Sequence, residues 1–160
     1  MKIETPIRKK HSFKQHLCAP PEIVFPLLCP VMEIKWVPDW MPIRVISKSG
    51  VAEPECIFIT PATPQNSIWI VSKHDPKNFN LEMYKITPEQ TVAKLQISLS
   101  SEEDQFTKAI ISYEYTAIGP EGEKFLKEFT FDWYGKFMAD WEKELNYYLR
   151  NKEKFCDPHL

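Results

Sequence analysis

The stretch EKFLKEFTFDWYGKFMADWEKELNYYLR, residues 123–150, decides how the rest of the chain is read. Its apolar residues Phe125, Phe129, Trp133, Phe137, Trp141, Leu145 and Leu149 recur every four positions among charged ones. That spacing predicts one amphipathic helix over about 123–150. At about 100° per residue a step of four overshoots a full turn by about 40°, so the apolar stripe winds round the helix. A flat surface cannot follow such a stripe. A strongly curved sheet wrapped about the helix can, and it leaves space between its concave face and the helix. Gly135 falls on the polar side, where it costs about 1 kcal/mol relative to alanine and suggests a local bend.

The sequence before this helix supplies such a sheet. From Ile43 to Ile118 short β-prone runs alternate with turn residues, which is the pattern of an antiparallel meander. Strands are expected near 43–49, 55–61, 67–73, 79–86, 91–100 and 105–118. Ala93, Leu95, Ile97 and Leu99 share one face, with Lys94, Gln96 and Ser98 on the other. Likewise Ala109, Ile111, Tyr113 and Tyr115 oppose Lys108, Ser112 and Glu114. Period two with a single apolar face means a sheet covered on one side only. The strand around Tyr84 carries apolar residues on both faces, and its inward face stays open. Gly119-Pro120-Glu121-Gly122 ends the last strand.

Nearer the start, residues 6–17 read as one more strand, broken by Cys18-Ala19-Pro20-Pro21. In PPEIVFPLLCP the leading prolines suit a first helical turn, and Pro26 and Pro30 keep the helices short. The fold class is therefore α+β: a curved antiparallel sheet of about seven strands, two short helices and a long C-terminal helix. Residues 1–155 are expected to form one domain, with 156–160 as a tail.

Composition narrows the function classes. The chain has 160 residues, of which 43% are hydrophobic and 26% charged, enough for one core. Its net charge of −2 is spread along the length and builds no basic footprint for nucleic acid. No run approaches the roughly 20 apolar residues of a membrane span, so a cytoplasmic protein is expected. Cys18, Cys29, Cys56 and Cys156 form no C-x-x-C pair and no zinc-like spacing with histidine. They read as small apolar groups, with no metal and no cofactor expected.

The stretches APPEIVFPLLCPVMEIKWVPDW (19–40), SGVAEPECIFIT (49–60), IWIVSKHDP (68–76) and ISYEYTAIGPEG (111–122) resemble the bacterial branch of the START-related, birch-pollen-allergen-like SRPBCC superfamily, and they recur in its order. With the terminal helix they cover most of the chain. The resemblance implies the helix-grip fold and a cavity between sheet and helix that holds lipids, polyketides or other hydrophobic molecules. It implies no reaction, because fold alone specifies none. Beside Pro38 the resemblance implies a glycine, and this chain carries Asp39.

On that frame the candidate ligand-binding residues are Trp36, Trp40, Trp69, Tyr113, Tyr115, Phe129, Trp133 and Phe137. Trp36 and Trp40 flank a proline turn at the implied mouth, either closing over a ligand or plugging the core. The other rings present the same choice. Tyr113 and Tyr115 turned inward need hydrogen-bonding partners, which a ligand's polar group would supply. His74-Asp75 reads as a strand end rather than an acid/base pair, since neighbours on a strand point to opposite faces. Glu33 reads as a structural hydrogen-bonding or capping group, and His11, His16 and His159 as surface residues. Nucleophile-elbow, zinc, Walker and dinucleotide fingerprints are missing from the sequence, and no catalytic residue is assigned. The expected partner is a small hydrophobic molecule, with a cyclase-, aromatase- or hydrolase-type enzyme and a protein-binding groove as alternatives.

Overall fold

The computed structural model describes residues 1–103 and 105–156. Seven strands form one antiparallel sheet in the order β1-β7-β6-β5-β4-β3-β2. They are β1 (Arg8–Leu17), β2 (Arg44–Ile46), β3 (Ile57–Thr60), β4 (Ser67–Asp75), β5 (Asn80–Thr87), β6 (Thr91–Glu102) and β7 (Phe106–Ala117). Between β1 and β2 lie a short helix α1 (Pro21–Val24), a 3-10 turn over Phe25–Leu27 and another over Glu33–Lys35. After β7 come α2 (Pro120–Glu128) and α3 (Phe131–Asn151). This is the helix-grip architecture, with every expected strand present.

Alternation sets the inner face. Ala93, Leu95, Ile97 and Leu99 of β6 are buried, as are Ala109 and Ile111 of β7. On β5 the inner positions are Leu81, Met83, Lys85 and Thr87. Tyr84 therefore faces outward, where the Lys94 ammonium lies 5.8 Å from its ring centre. A register shift between Val71 and Lys73 of β4 marks a bulge, which bends the strand and adds to the curvature.

The terminal helix begins differently from the sequence expectation. In place of one helix over 123–150 there are two, because Phe129 and Thr130 leave helical geometry. Thr130 is the cap of α3: its hydroxyl accepts a hydrogen bond from the Trp133 amide at 3.2 Å, and Asp132 follows in the first turn. Both choices satisfy and complement a helix N-terminus. Once the helix restarts, its core face runs Tyr134, Met138, Leu145 and Leu149, all buried, with Trp141 half-buried between them. The winding stripe thus splits in two at the break. Gly135 is half-buried, and a Cβ there would sit an ordinary 3.8 Å from the Phe13 ring. The helix continues unbroken through it.

Helix α3 is tied to β1, the edge strand. Asn146 accepts from the Cys18 amide at 2.8 Å and donates to the His16 carbonyl at 2.9 Å. Glu142 accepts from the His16 amide at 2.8 Å, and Gln15 donates to the Met138 carbonyl at 2.7 Å. Edge strands expose unpaired backbone groups, and here helix side chains satisfy several of them. The Tyr134 hydroxyl adds a bond to the Ile111 carbonyl of β7 at 2.7 Å. Gly122 of α2 is pressed against the turn between β5 and β6. A Cβ there would lie 1.9 Å from the Gln90 carbonyl oxygen, so only glycine allows this approach.

Asp39, standing where the resemblance implies glycine, has φ 53°. Aspartate is among the few residues that tolerate the left-handed region, so the turn is kept. Asp75 accepts twice from Asn78, at 3.2 and 2.9 Å, as a turn residue does. Cys29 and Cys56 are buried, whereas Cys18 is half-buried and Cys156 exposed. His16 is exposed. His11 is not a surface residue: its ring lies 4.7 Å from Phe129 and bonds the Phe129 carbonyl at 3.0 Å. His159 and residues 157–160 of the expected tail lie outside the described residues.

Candidate functional site

With α3 held over β1 and β7, the part of the concave face built by β3, β4 and β5 has no helix core face above it. The space there is a cavity of about 640 Å³. Its floor carries Phe58, Trp69, Met83 and Lys85, with Leu95, Ile111, Tyr113 and Tyr115 toward the helix. Its wall is the flank of α3 bearing Trp133, Phe137, Asp140, Trp141 and Glu144. Residues 30–40 roof it through Pro30, Glu33, Val37, Pro38 and Trp40. The volume falls within the range of pockets that hold drug-sized molecules.

Six of the eight residues singled out in the sequence line this space: Trp40, Trp69, Tyr113, Tyr115, Trp133 and Phe137. Trp69 stacks on Phe58 at 5.2 Å and donates its indole N–H to Thr60 at 3.0 Å. Trp40 donates to the Pro30 carbonyl at 2.7 Å, which pins it in the roof. Trp133 and Phe137 stack on each other at 5.6 Å and are 47% and 45% exposed. They form an aromatic rim rather than an interior lining. The inward positions of that turn belong to Tyr134 and Met138, which the every-fourth-residue stripe passed over.

The other two stand elsewhere. Trp36 is fully buried, donates to the Leu27 carbonyl at 3.0 Å and packs on Trp141 at 5.0 Å. It is a plug beneath the roof, not a gate. Phe129 is 1% exposed among Phe125, Tyr115, Tyr134 and His11, where it seals the break between α2 and α3.

Polar groups converge on the same space. Among the described residues the Tyr113 and Tyr115 hydroxyls make no hydrogen bond, and both side chains are half-buried. Both phenols are held well above their ordinary range, mainly by burial. Glu33, expected to bond or cap, does neither: the residue before the 3-10 turn is Met32, with no side-chain cap. Its carboxyl opens on the cavity, and burial pushes it up to about 8. Glu144, farther along the wall, is raised to about 7 by burial and by neighbouring Asp140.

On the facing floor the sequence reading missed Lys85. Register places it opposite Trp69 on β4 and Ala93 on β6. Its ammonium sits 5.1 Å from the Trp69 ring centre, and burial lowers its pKa. The available signal was the alternation Leu81, Met83, Lys85, in which a lysine holds an inward position. Both faces of that strand being apolar hid it. Beyond Lys85 the end of the face is polar, with Ser67 and Thr87 sharing a hydrogen bond at 2.9 Å and Thr91 beside them.

No family model matches the sequence, and no curated protein matches it. Solved structures match the fold. The truncated norcoclaurine synthase from Thalictrum flavum superposes with a TM-score of 0.67 at 12% identity, over 96% of this chain and 100% of that one. The same enzyme in complex with dopamine and hydroxybenzaldehyde gives 0.65 at 15% identity, over 93% and 91%. Ara h 8.0201 gives 0.61 at 13% identity, over 90% and 99%. The chain therefore has the birch-pollen-allergen-like fold that its motifs resemble. Among the described residues no helix is long and apolar enough to cross a membrane.

Proposed function

We propose that this protein binds a small, largely hydrophobic molecule in the cavity between β3–β6 and the flank of α3. The observation that carries the reading is a space of about 640 Å³ floored by Phe58, Trp69, Met83 and Leu95 and rimmed by Trp133 and Phe137. Apolar cavities of this size accept apolar guests, and rings at the rim give a guest a surface to slide over. That a protein of the same fold is found in complex with dopamine and hydroxybenzaldehyde supports aromatic guests. Tyr113, Tyr115, Glu33 and Lys85 supply the few polar groups that fix a guest's orientation.

The test is a panel of dyes, fatty acids, sterols and aromatic polyketides, followed by tryptophan fluorescence and thermal melting. Guests that bind the folded state alone stabilise it by mass action, by about 2.7 kcal/mol at a hundredfold excess over Kd, and so raise the melting temperature. The reading fails if no compound changes either signal. A protein-binding groove then takes its place.

One observation favours a second reading, acid–base chemistry on the bound molecule. Glu33, held up to about 8, is a carboxylic acid that keeps its proton near neutral pH, and it shares the cavity with a desolvated lysine. Groups displaced toward neutrality and gathered in one cleft are the usual equipment of proton transfer. Incubating each guest with the protein and weighing it afterwards by mass spectrometry separates carrier from catalyst. An unchanged mass across the panel, with binding intact, leaves the carrier reading alone.

A further inference from the structure

Lys85 is the cation of the cavity floor, and the described residues give it no anion. Among the described residues its ammonium takes part in no ion pair within 4 Å and no hydrogen bond. The ammonium lies over the face of the Trp69 ring, 5.1 Å from its centre. The strand beside it contributes Ala93, whose small side chain is wholly buried, and the next contributes Tyr115, in register with Ala93. Lys85 and Tyr115 thus stand two strands apart, about 10 Å between backbones, over a methyl group. Two long polar side chains flank a shallow notch.

A desolvated cation without a partner is unfavourable, and a ligand that brings its own anion removes that cost on binding. We propose, resting on the cavity being a ligand site, that the guest is an amphipathic acid whose carboxylate sits on Lys85 Nζ, its apolar body lying along Met83, Leu95 and the rim rings. Tyr115 is placed to donate a second hydrogen bond to the same carboxylate.

The carboxyls of the roof and wall do not oppose this placement at neutral pH. Glu33 and Glu144 are raised to about 8 and about 7, so both are substantially protonated. Asp140, the remaining acid of the wall, is exposed at the mouth. The arrangement selects against amines at the floor, where Lys85 repels them, and against neutral guests, which leave its charge unpaired.

The experiment compares dodecanoic acid, dodecan-1-ol and dodecylamine, and in parallel 2-naphthoic acid and 2-naphthalenemethanol, by calorimetry and thermal shift. Wild-type protein should prefer each acid over its alcohol by at least about tenfold, the factor that one charge-assisted hydrogen bond provides. In Lys85→Met that preference should vanish, and the alcohol should bind at least as well as to wild type, since no charge is left unpaired beneath it. Lys85→Arg should keep part of it. Equal binding of acid and alcohol by the wild type overturns the inference and leaves the cavity reading standing, as does an acid preference that survives in Lys85→Met. A preference for dodecylamine overturns it too, and moves the head group to Glu33 and Glu144. If neither alcohol nor any other probe binds, the cavity reading itself fails and the inference falls with it.

Discussion

Over β1 and β7 the concave face carries Gln15, Leu17, Thr107 and Ala109, all at 1% exposure or less beneath α3. Over β3, β4 and β5 the same face carries Phe58, Trp69, Met83 and Lys85 beneath a cavity. The hollow half carries the larger side chains of one continuous sheet, so side-chain size does not decide which half is hollow. The helix position decides it. Asn146, Glu142 and Gln15 stitch α3 to the β1 edge, and a helix about 10 Å across cannot also cover the far strands. Satisfying an edge at one side leaves an empty ceiling at the other.

The largest effect should come from the filled half. Truncating Leu145, fully buried on the core face of α3, to alanine should cost about 3 kcal/mol, the middle of the range for leucine in a packed core. For a domain of this size that lowers the melting midpoint by roughly 6–12 °C. Guest affinity, measured well below the new midpoint, should stay within about threefold, because the Leu145 side chain does not line the cavity. A loss under about 1 kcal/mol would show that the filled half is not close-packed and would dissolve the comparison.

A second effect belongs to the hollow half and depends on pH. Glu33 titrates near 8 in the folded protein against an ordinary value of 4.5. Between these values the folded state holds a proton that the unfolded state has released, so stability falls as pH rises through the window and levels off above about 8. The upper limit is ~1.4 kcal/mol per pH unit across that interval. Contact with the cavity reduces it, and Glu144 adds a similar slope that ends near 7. Glu33→Gln should flatten the stability profile between 4.5 and 8 and leave the protein more stable than wild type at pH 9. Parallel profiles for the two proteins would mean that the carboxyl is solvated through the cavity as if it were at the surface.

How much of this was legible in the sequence differs between the halves for the same reason. Period-two patterns in β6 and β7 and the amphipathic terminal segment gave the sheet, its inner face and its long helix, since burial against a helix writes a strict pattern. The restart of the helix was written too, in Thr130 followed by Asp132, but an unbroken run of rings at spacing four concealed it. Trp36 and Trp40 looked equivalent by composition and motif. What separates them is a tertiary fact, that Trp36 meets Trp141 while Trp40 hangs from Pro30. Lys85 and Glu33 were the least legible, because a cavity relaxes the pattern: inward positions that need not pack can hold a charge.

The smallest effect on stability should fall where the effect on binding is large. Trp133 is a big ring, and in a filled core its truncation to alanine would cost about 3–5 kcal/mol. Here nearly half of it is exposed, at 47%, and its contacts are with other rings: Phe137 at 5.6 Å, Phe129 at 6.1 Å and Phe125 at 6.3 Å. Little close-packed volume is lost when it goes, so Trp133→Ala should cost only about 1 kcal/mol, near the midpoint shift of a surface substitution. A guest that reaches the cavity past the rim loses an aromatic partner at the same time, and contacts of that kind are worth about a further 1 kcal/mol each. Affinity for 2-naphthoic acid should therefore drop several-fold, while dodecanoic acid, whose chain lies on the rim but brings no ring of its own to pair with Trp133, changes less. Calorimetry on the two acids with wild type and Trp133→Ala reads the difference directly. A stability loss of 3 kcal/mol with unchanged affinity would place Trp133 with Leu145 in the filled half, and the boundary between packed and hollow would have to move to the far side of α3.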